Sequence, residues 1–255
     1  MPYFEQGNIK YFYYERFPEE RSALINTILF VHGAGGSGSY WTRQLTELGG
    51  RFRVLAVDLP GHGKSGGTAC DSIAAYREFV KKFAEKTIVG PFYLCGHSLG
   101  GAVALDLTLA RPELLQGLIL MSTGAKLRIL PAIIDIIKGG RHYQKLAELV
   151  YSKKALRRMV ELGAQEMAAT KPLVWFKDLT ACDRFDITAR LAEIRLPVLI
   201  LTGTDDLLTP VKYGRALAAG LPDARLYEIE GAGHMPMLEK TGEINQRIVE
   251  FIEKG

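Results

Sequence analysis

An α/β fold with a mostly parallel, doubly wound sheet and helices on both faces is predicted from three observations. Short, nearly unbroken apolar runs of the kind buried on both faces of a sheet recur at residues 27–32 (TILFVH), 53–58 (RVLAVD), 92–95 (FYLC), 117–121 (GLILM) and 197–202 (PVLILT). Segments with apolar residues at helical spacing separate them, and strands alternating with helices imply a parallel sheet wrapped on both sides. Glycine follows each run within three residues, at Gly33, Gly61, Gly96, Gly124 and Gly203, so backbone is laid open at the strands' carboxyl ends, where open α/β sheets bind ligands. At 255 residues, 47% hydrophobic and 24% charged, the chain is long for one domain and short for two, which suits one core carrying an insertion.

Taken in order, residues 2–17 alternate aromatic and polar side chains and turn at Gly7-Asn8, the pattern of a hairpin at a sheet edge. The strand at 27–32 runs into GAGGSG, and a helix at 40–48 leads to the strand at 53–58 and the loop LPGHGKSG. A helix at 72–86 precedes the run at 92–95, and helix formers fill 102–110. After the strand at 117–121 the alternation stops, because residues 126–190 hold no convincing strand. Pro131 opens a short apolar helix stopped at Gly139-Gly140, Ser152 can cap a helix running to about 168, and Thr170 can open a third before Pro172. The strands at 197–202 and 225–229 and an amphipathic helix at 243–253 complete the chain. The division predicted is a core of residues 1–124 and 191–255 and a helical insertion of residues 125–190.

Between the strand at 92–95 and its helix lies Gly96-His97-Ser98-Leu99-Gly100. A turn tight enough to lift Ser98 clear of the sheet forces it into strained backbone and crowds residues two positions either side, which glycines relieve. The helix starting at the serine turns its free N–H groups and positive dipole end toward whatever bonds there. G-x-S-x-G alone arises by chance in a chain of this length about one time in ten, so the strand before it and the helix after it carry the reading.

A serine hydroxyl needs a base to take its proton and a third group to orient that base. His234 follows the last strand in GAGHMP, and Asp205 and Asp206 follow the strand at 197–202 in GTDDLLTP. The order is serine, acid, histidine, and spacing leaves both aspartates open. The remaining histidines have structural readings: His32 and His62 holding the glycine loops by hydrogen bonds, His97 packing beside the turn, His142 on the surface. Trp41 and Trp175 read as core or pocket lining, and Cys182 as buried.

VHGAGGSGSYW, VDLPGHGKS, CGHSLGG, LTGTDDLLTP and GAGHMPMLE together resemble the successive landmarks of the α/β-hydrolase fold superfamily, and within it the small capped carboxylesterase-like serine hydrolases. The resemblance spans nearly the whole core and implies Ser98 as nucleophile, His234 as general base and, through the pattern G-x-x-D counted from Gly203, Asp206 as acid. It further implies the backbone N–H groups of Ala34 and Leu99 as oxyanion donors and residues 125–190 as a cap. The implied activity is cofactor-independent cleavage of carboxylic esters through an acyl-enzyme, with loss of rate below about pH 6 to 7 as a typical histidine base protonates. Lactone, thioester, C–C bond and peroxidase-type chemistry use the same groups, although many C–C hydrolases follow the base with tryptophan where this chain has Met235. Some relatives keep the same residues as small-molecule receptors.

Three cysteines without CxxC spacing suggest neither a disulfide framework nor a metal site, and no cofactor is called for. Without a signal-like N-terminus or an apolar run of about 18 residues, a cytoplasmic protein is expected. A formal charge of +4 without a basic-aromatic motif argues against nucleic acid. The charge is uneven, however: residues 126–190 carry 13 Lys and Arg against 7 Asp and Glu, a net +6, beside the apolar series Leu127, Ile129, Leu130, Ile133, Ile134, Ile136 and Ile137. The basic face reads either as a solvated helix surface or, because the capped relatives line their acyl pocket with such apolar side chains, as a rim over a slot for a small-molecule ester with an apolar acyl group. Membrane contact is expected only if that basic face rests on anionic lipid.

Overall fold

The computed structural model describes residues 2–19, 25–141 and 146–254, so the surface reading of His142 lies outside the described residues. Eight strands form one sheet in the order β1-β2-β4-β3-β5-β6-β7-β8: β1 (Tyr3–Gln6), β2 (Ile9–Arg16), β3 (Thr27–Val31), β4 (Arg53–Val57), β5 (Phe92–His97), β6 (Leu115–Met121), β7 (Val198–Gly203) and β8 (Ala224–Ile229). The β1–β2 hairpin and its pairing with β4 are antiparallel, and every other ladder is parallel. The mostly parallel, doubly wound sheet expected from the sequence is the sheet observed.

Alternation along the central strands gives each face its own core. Leu29, Val31, Leu55, Val57 and Leu94 point toward α2 (Ile73–Thr87) and α3 (Leu99–Ala110), whereas Ile28, Phe30, Val54, Ala56 and Cys95 point the other way. There they meet α1 (Thr42–Leu48) and α10 (Thr241–Lys254), the latter through Ile244, Ile248, Phe251 and Ile252, spaced to share one helix face. Burying each such side chain is worth about 1.5–3 kcal/mol, which is why short strands suffice. Ser72 caps α2, accepting from Ala75 N.

Between β6 and β7, adjacent in the sheet, lie α4 (Pro131–Lys138), α5 (Leu146–Val150), α6 (Arg157–Ala169) and α7 (Pro172–Asp183). The ends of this helical insertion pair with each other, Leu127 N donating to Phe185 O and Ile187 N to Ala125 O. Two expected caps do not form. Helix α6 begins only at Arg157 after Leu156, and Ser152 instead donates its N–H to Glu239 Oε2 at 3.0 Å. Helix α7 begins at Pro172, whose fixed φ suits a first turn, and Thr170 serves the core instead. The chain closes through α8 (Lys212–Gly220) on the α2–α3 side and α9 (Pro236–Glu239) before α10. Among the described residues no helix is long and apolar enough to cross a membrane.

Candidate active site

Ser98 sits between β5 and α3 with φ 51° and ψ −115°, a backbone region that costs a non-glycine residue about 1–3 kcal/mol. Neighbouring backbone fixes it there: Ser98 N donates to Met121 O at 3.0 Å, and its carbonyl accepts from Gly101 N, Ala102 N and Thr123 Oγ1. The turn is too tight for side chains. A Cβ on Gly96 would lie 2.2 Å from Gly100 O, and one on Gly100 would lie 2.3 Å from Val31 O. Leu99, the first residue of α3, is buried, and its N–H is among the four that an α-helix leaves without an intrahelical partner.

The loop after β3 lies against this turn, close enough that a Cβ on Gly33 would be 3.2 Å from Ser98 Cβ and 2.7 Å from His97 Nδ1. Ala34 is next in that loop. His32 fixes the loop's root: its Nε2 accepts from Leu59 N at 3.1 Å, so Nδ1 carries the proton and donates to Gly33 O at 2.8 Å. Burial, with His62 close by, holds His32 well below the ordinary histidine range and keeps it neutral.

Asp206 and His234 meet across the ends of β7 and β8. Asp206 Oδ1 accepts from Leu208 N and Thr209 N at 2.8 and 2.9 Å, and Oδ2 from Thr209 Oγ1 at 2.8 Å and His234 Nδ1 at 2.9 Å. Burial opposes the charge, yet His234 and these donors hold the carboxyl well below the usual carboxylate range. With Nδ1–H given to Asp206, Nε2 of His234 is left with its lone pair, the tautomer a general base requires. Asp205 is half-buried, its carboxylate no closer than 3.5 Å to Thr204 Oγ1, and it makes no hydrogen bond to His234.

His234 is also held by its own backbone. Its N–H donates to Val150 O in α5 at 2.7 Å, and its carbonyl accepts from His97 Nε2 at 2.8 Å, with the two rings 4.8 Å apart. Burial first, then the nearness of His234, pushes His97 down to about 3, so it stays a neutral donor. Ser98 and His234 line one cavity of about 270 Å³ without a direct hydrogen bond between them. Catalytic hydrogen bonds are often long or poorly aligned before substrate is bound.

The cavity wall is largely aliphatic and comes from both parts of the chain: Gly33, Ala34 and Met235 from the core loops, and Leu127, Ile129, Ile133, Leu149, Met167, Trp175, Leu179 and Cys182 from the insertion and its stem. Arg128 is its charged lining residue, exposed, and among the described residues no carboxylate pairs with it. Arg157 instead pairs with Glu161 on an exposed helix face, and Arg158 lines a different cavity. Among the described residues no three His, Cys, Asp or Glu side chains gather as metal ligands, and all three cysteines are free.

Sequence reading missed Asp178. This aspartate of α7 is fully buried and reaches into the core: Oδ1 accepts from the Tyr76 hydroxyl, and Oδ2 accepts at 2.8 Å from both Gly35 N and His62 Nε2. His62 Nδ1 lies 3.1 Å from Pro60 O, so both ring nitrogens face oxygen acceptors, an arrangement that favours the protonated ring. Burial alone would lower its pKa, but the charge and hydrogen bond of Asp178, with the Pro60 carbonyl, raise it. A raised folded-state pKa stabilises fully below the unfolded value, about 6.5, and that contribution is lost as pH rises through the folded value. The gap in urea midpoint between wild type and His62→Gln should therefore shrink as pH rises above about 6.5. A gap that stays flat to pH 9 would mean that the pair is not ionised.

Comparisons with known proteins bear on the family and the fold. Residues 28–247 match the model of the alpha/beta hydrolase family. A putative carbamate hydrolase RutD of Rhizobium rhizogenes (strain K84 / ATCC BAA-868) is 32% identical over 243 residues, covering 89% of this chain and 92% of the relative. The 2-hydroxy-6-oxo-6-phenylhexa-2,4-dienoate hydrolase of Comamonas testosteroni is 26% identical over 253 residues, covering 89% and 87%. The solved structure of a thermophilic esterase superposes with a TM-score of 0.85 at 32% identity, covering 99% of this chain and 97% of that one. With this match over most of its length, the chain belongs to the alpha/beta hydrolase family.

Proposed function

We propose that the protein is a cofactor-independent serine hydrolase that cleaves carboxylic esters through an acyl-enzyme. The observation that carries this reading is the Asp206–His234 pair, which leaves His234 Nε2 as the acceptor on a cavity that Ser98 also lines. In the proposed reaction Ser98 Oγ attacks the ester carbonyl as Nε2 takes its proton, and Asp206 stabilises the imidazolium. The N–H groups of Ala34 and Leu99 receive the developing oxyanion. Collapse expels the alcohol, protonated by His234, and water activated by the same ring then releases the acid. The insertion, residues 125–190, acts as the cap over a core of residues 1–124 and 191–255, and its aliphatic side chains hold the acyl group.

A panel of p-nitrophenyl esters from acetate to decanoate, with a lactone, a thioester and an aryl carbamate, tests the reaction class. Each methylene buried in the aliphatic wall is worth about 0.8 kcal/mol, roughly fourfold in kcat/KM, until the cavity is filled. The esters should lead, with kcat/KM rising along the series and then levelling. The 32% identity with a putative carbamate hydrolase favours carbamate as the second reading, and a carbamate turned over faster than every ester would establish it. Binding without turnover of any of these substrates would indicate a receptor.

Arg128 supplies a finer expectation. An exposed cation on an apolar wall favours an ester whose far end is anionic, and such steering weakens as the screening length falls from about 10 Å at 0.1 M salt to about 3 Å at 1 M. Over that interval kcat/KM for a carboxylate-bearing ester should fall severalfold while a matched neutral ester holds steady, and Arg128→Gln should remove the difference. An equal salt response of both esters in the wild type would leave selectivity to the apolar wall alone.

A further inference from the structure

Three residues of the helical insertion converge on one glycine of the core. Gly35 follows Ala34 in the loop after β3, and both of its backbone polar groups bond to insertion side chains: its N–H donates to Asp178 Oδ2 at 2.8 Å, and its carbonyl accepts from Thr170 Oγ1 at 2.8 Å. Gly35 has φ +63°, and a Cβ there would lie 2.2 Å from the Trp175 indole, which is itself anchored through Nε1 to Met167 O at 3.2 Å. Through the Gly35 N–H the insertion fixes the peptide between Ala34 and Gly35, and through the Gly35 carbonyl the peptide between Gly35 and Gly36; the first of these adjoins the Ala34 N–H across a single Cα.

Burial makes this hold specific. Asp178 has no access to water, and its two oxygens are filled by Gly35, His62 and Tyr76, from three segments of the core. A carboxylate in that position cannot exchange the Gly35 N–H for solvent. If the insertion shifts, the two peptides flanking Gly35 lose their partners together.

We propose that Asp178 and Thr170 are positioning residues, which clamp the two peptides flanking Gly35 from the insertion and so aim the Ala34 N–H at the oxyanion only while the insertion is seated. This rests on the reading of Ala34 as an oxyanion donor beside a nucleophilic Ser98. Neither residue touches the reacting atoms. Their effect belongs in the tetrahedral state, where a donor must sit within a few tenths of an ångström of its place, and not in binding of the ground-state ester.

The test compares Thr170→Val, Thr170→Ser, Asp178→Asn and Tyr76→Phe with wild type, using p-nitrophenyl butyrate as substrate and an alkyl trifluoromethyl ketone as tetrahedral-adduct probe. Thr170→Val keeps shape and loses only the donor to Gly35 O. It should lower kcat roughly 10-fold with KM within about twofold, since misplacing a reacting group by about 1 Å costs up to about 100-fold. Affinity for the ketone should fall in parallel, and Thr170→Ser, which restores the hydroxyl, should recover most of both. Asp178→Asn should show a larger loss of the same kind. Tyr76→Phe removes a partner of Asp178 without touching Gly35, so it should lower the melting temperature and leave kcat within about twofold of wild type. Thr170→Val with unchanged kcat and ketone affinity overturns the proposal, as does Tyr76→Phe losing as much kcat as Asp178→Asn. If wild type forms no ketone adduct on Ser98, it is the reading of the site that fails. An adduct formed equally well by wild type and Thr170→Val removes the clamp alone.

Discussion

Replacing Ser98 by alanine should reduce ester hydrolysis by about 10⁴-fold or more while the fold survives. The expectation of intact folding comes from the backbone. What holds residue 98 at φ 51° is a set of main-chain bonds to Met121, Gly101 and Ala102 and the Thr123 hydroxyl on its carbonyl, none of which uses the serine side chain. Alanine meets the same strain with the same partners. The collapse in rate comes from chemistry, since His234 and Asp206 act on the substrate only through that oxygen and leave the smaller catalysis that oxyanion donors and binding supply alone. Steady-state kcat/KM with circular dichroism on the same samples separates the two. A folded Ser98→Ala protein with more than about a hundredth of wild-type turnover would remove the serine from the chemistry.

Asp206→Asn should cost about 10³- to 10⁴-fold, and Asp205→Asn less than about threefold. An asparagine at 206 can keep the Leu208 and Thr209 N–H groups by turning its oxygen to them, which leaves its amide facing His234 Nδ1. That nitrogen must then accept, so the proton moves to Nε2 and the base points its hydrogen at Ser98. Asp205 makes no hydrogen bond to His234, and its carboxylate meets Thr204 Oγ1 at 3.5 Å. The folded-state pKa of Asp206 is lowered, so its share of stability is present above the unfolded value of about 3.9 and lost as pH falls toward the folded one. Asp206→Asn should therefore also flatten the acid limb of the unfolding curve. Equal losses in the two variants would take Asp206 out of the assignment.

The sequence is most legible where local physics acts alone. A run such as PVLILT is buried on both faces whatever surrounds it, so the strands fall within a few residues of their expected places, and glycine at 96 and 100 is demanded by atoms only a few residues or one strand away. Helix starts in the insertion are less legible. Ser152 and Thr170 have the right chemistry for caps, but the helices start further along, at Arg157 and Pro172, and the Thr170 hydroxyl goes to Gly35. Helices α5, α8 and α9 are short, nine residues or fewer, and they carry too little periodicity to stand out.

Around the site, the chain order of Ser98, Asp206 and His234 could be read, but the groups that hold them could not. Asp178 is an ordinary aspartate in a helical stretch, and its bond to Gly35 spans 143 residues. Thr209 looks like a turn residue before Pro210, although it gives Asp206 both its N–H and its hydroxyl. His97 could be expected beside the turn, yet its donation to the His234 carbonyl depends on two loops that meet only in the fold. The basic excess of residues 126–190 could be counted, but only the structure shows that Arg128, rather than Arg157 or Arg158, stands on the wall shared with Ser98.

The most direct measurement of the central claim is mass spectrometry of the protein quenched in acid during turnover of a p-nitrophenyl ester, and in parallel after treatment with an alkyl fluorophosphonate. The account predicts one acyl group per chain on the peptide carrying Ser98, discharged by water once substrate is exhausted, and one phosphonyl group on the same serine with complete loss of activity. An active protein that carries neither adduct, or carries them on any residue other than Ser98, would contradict it.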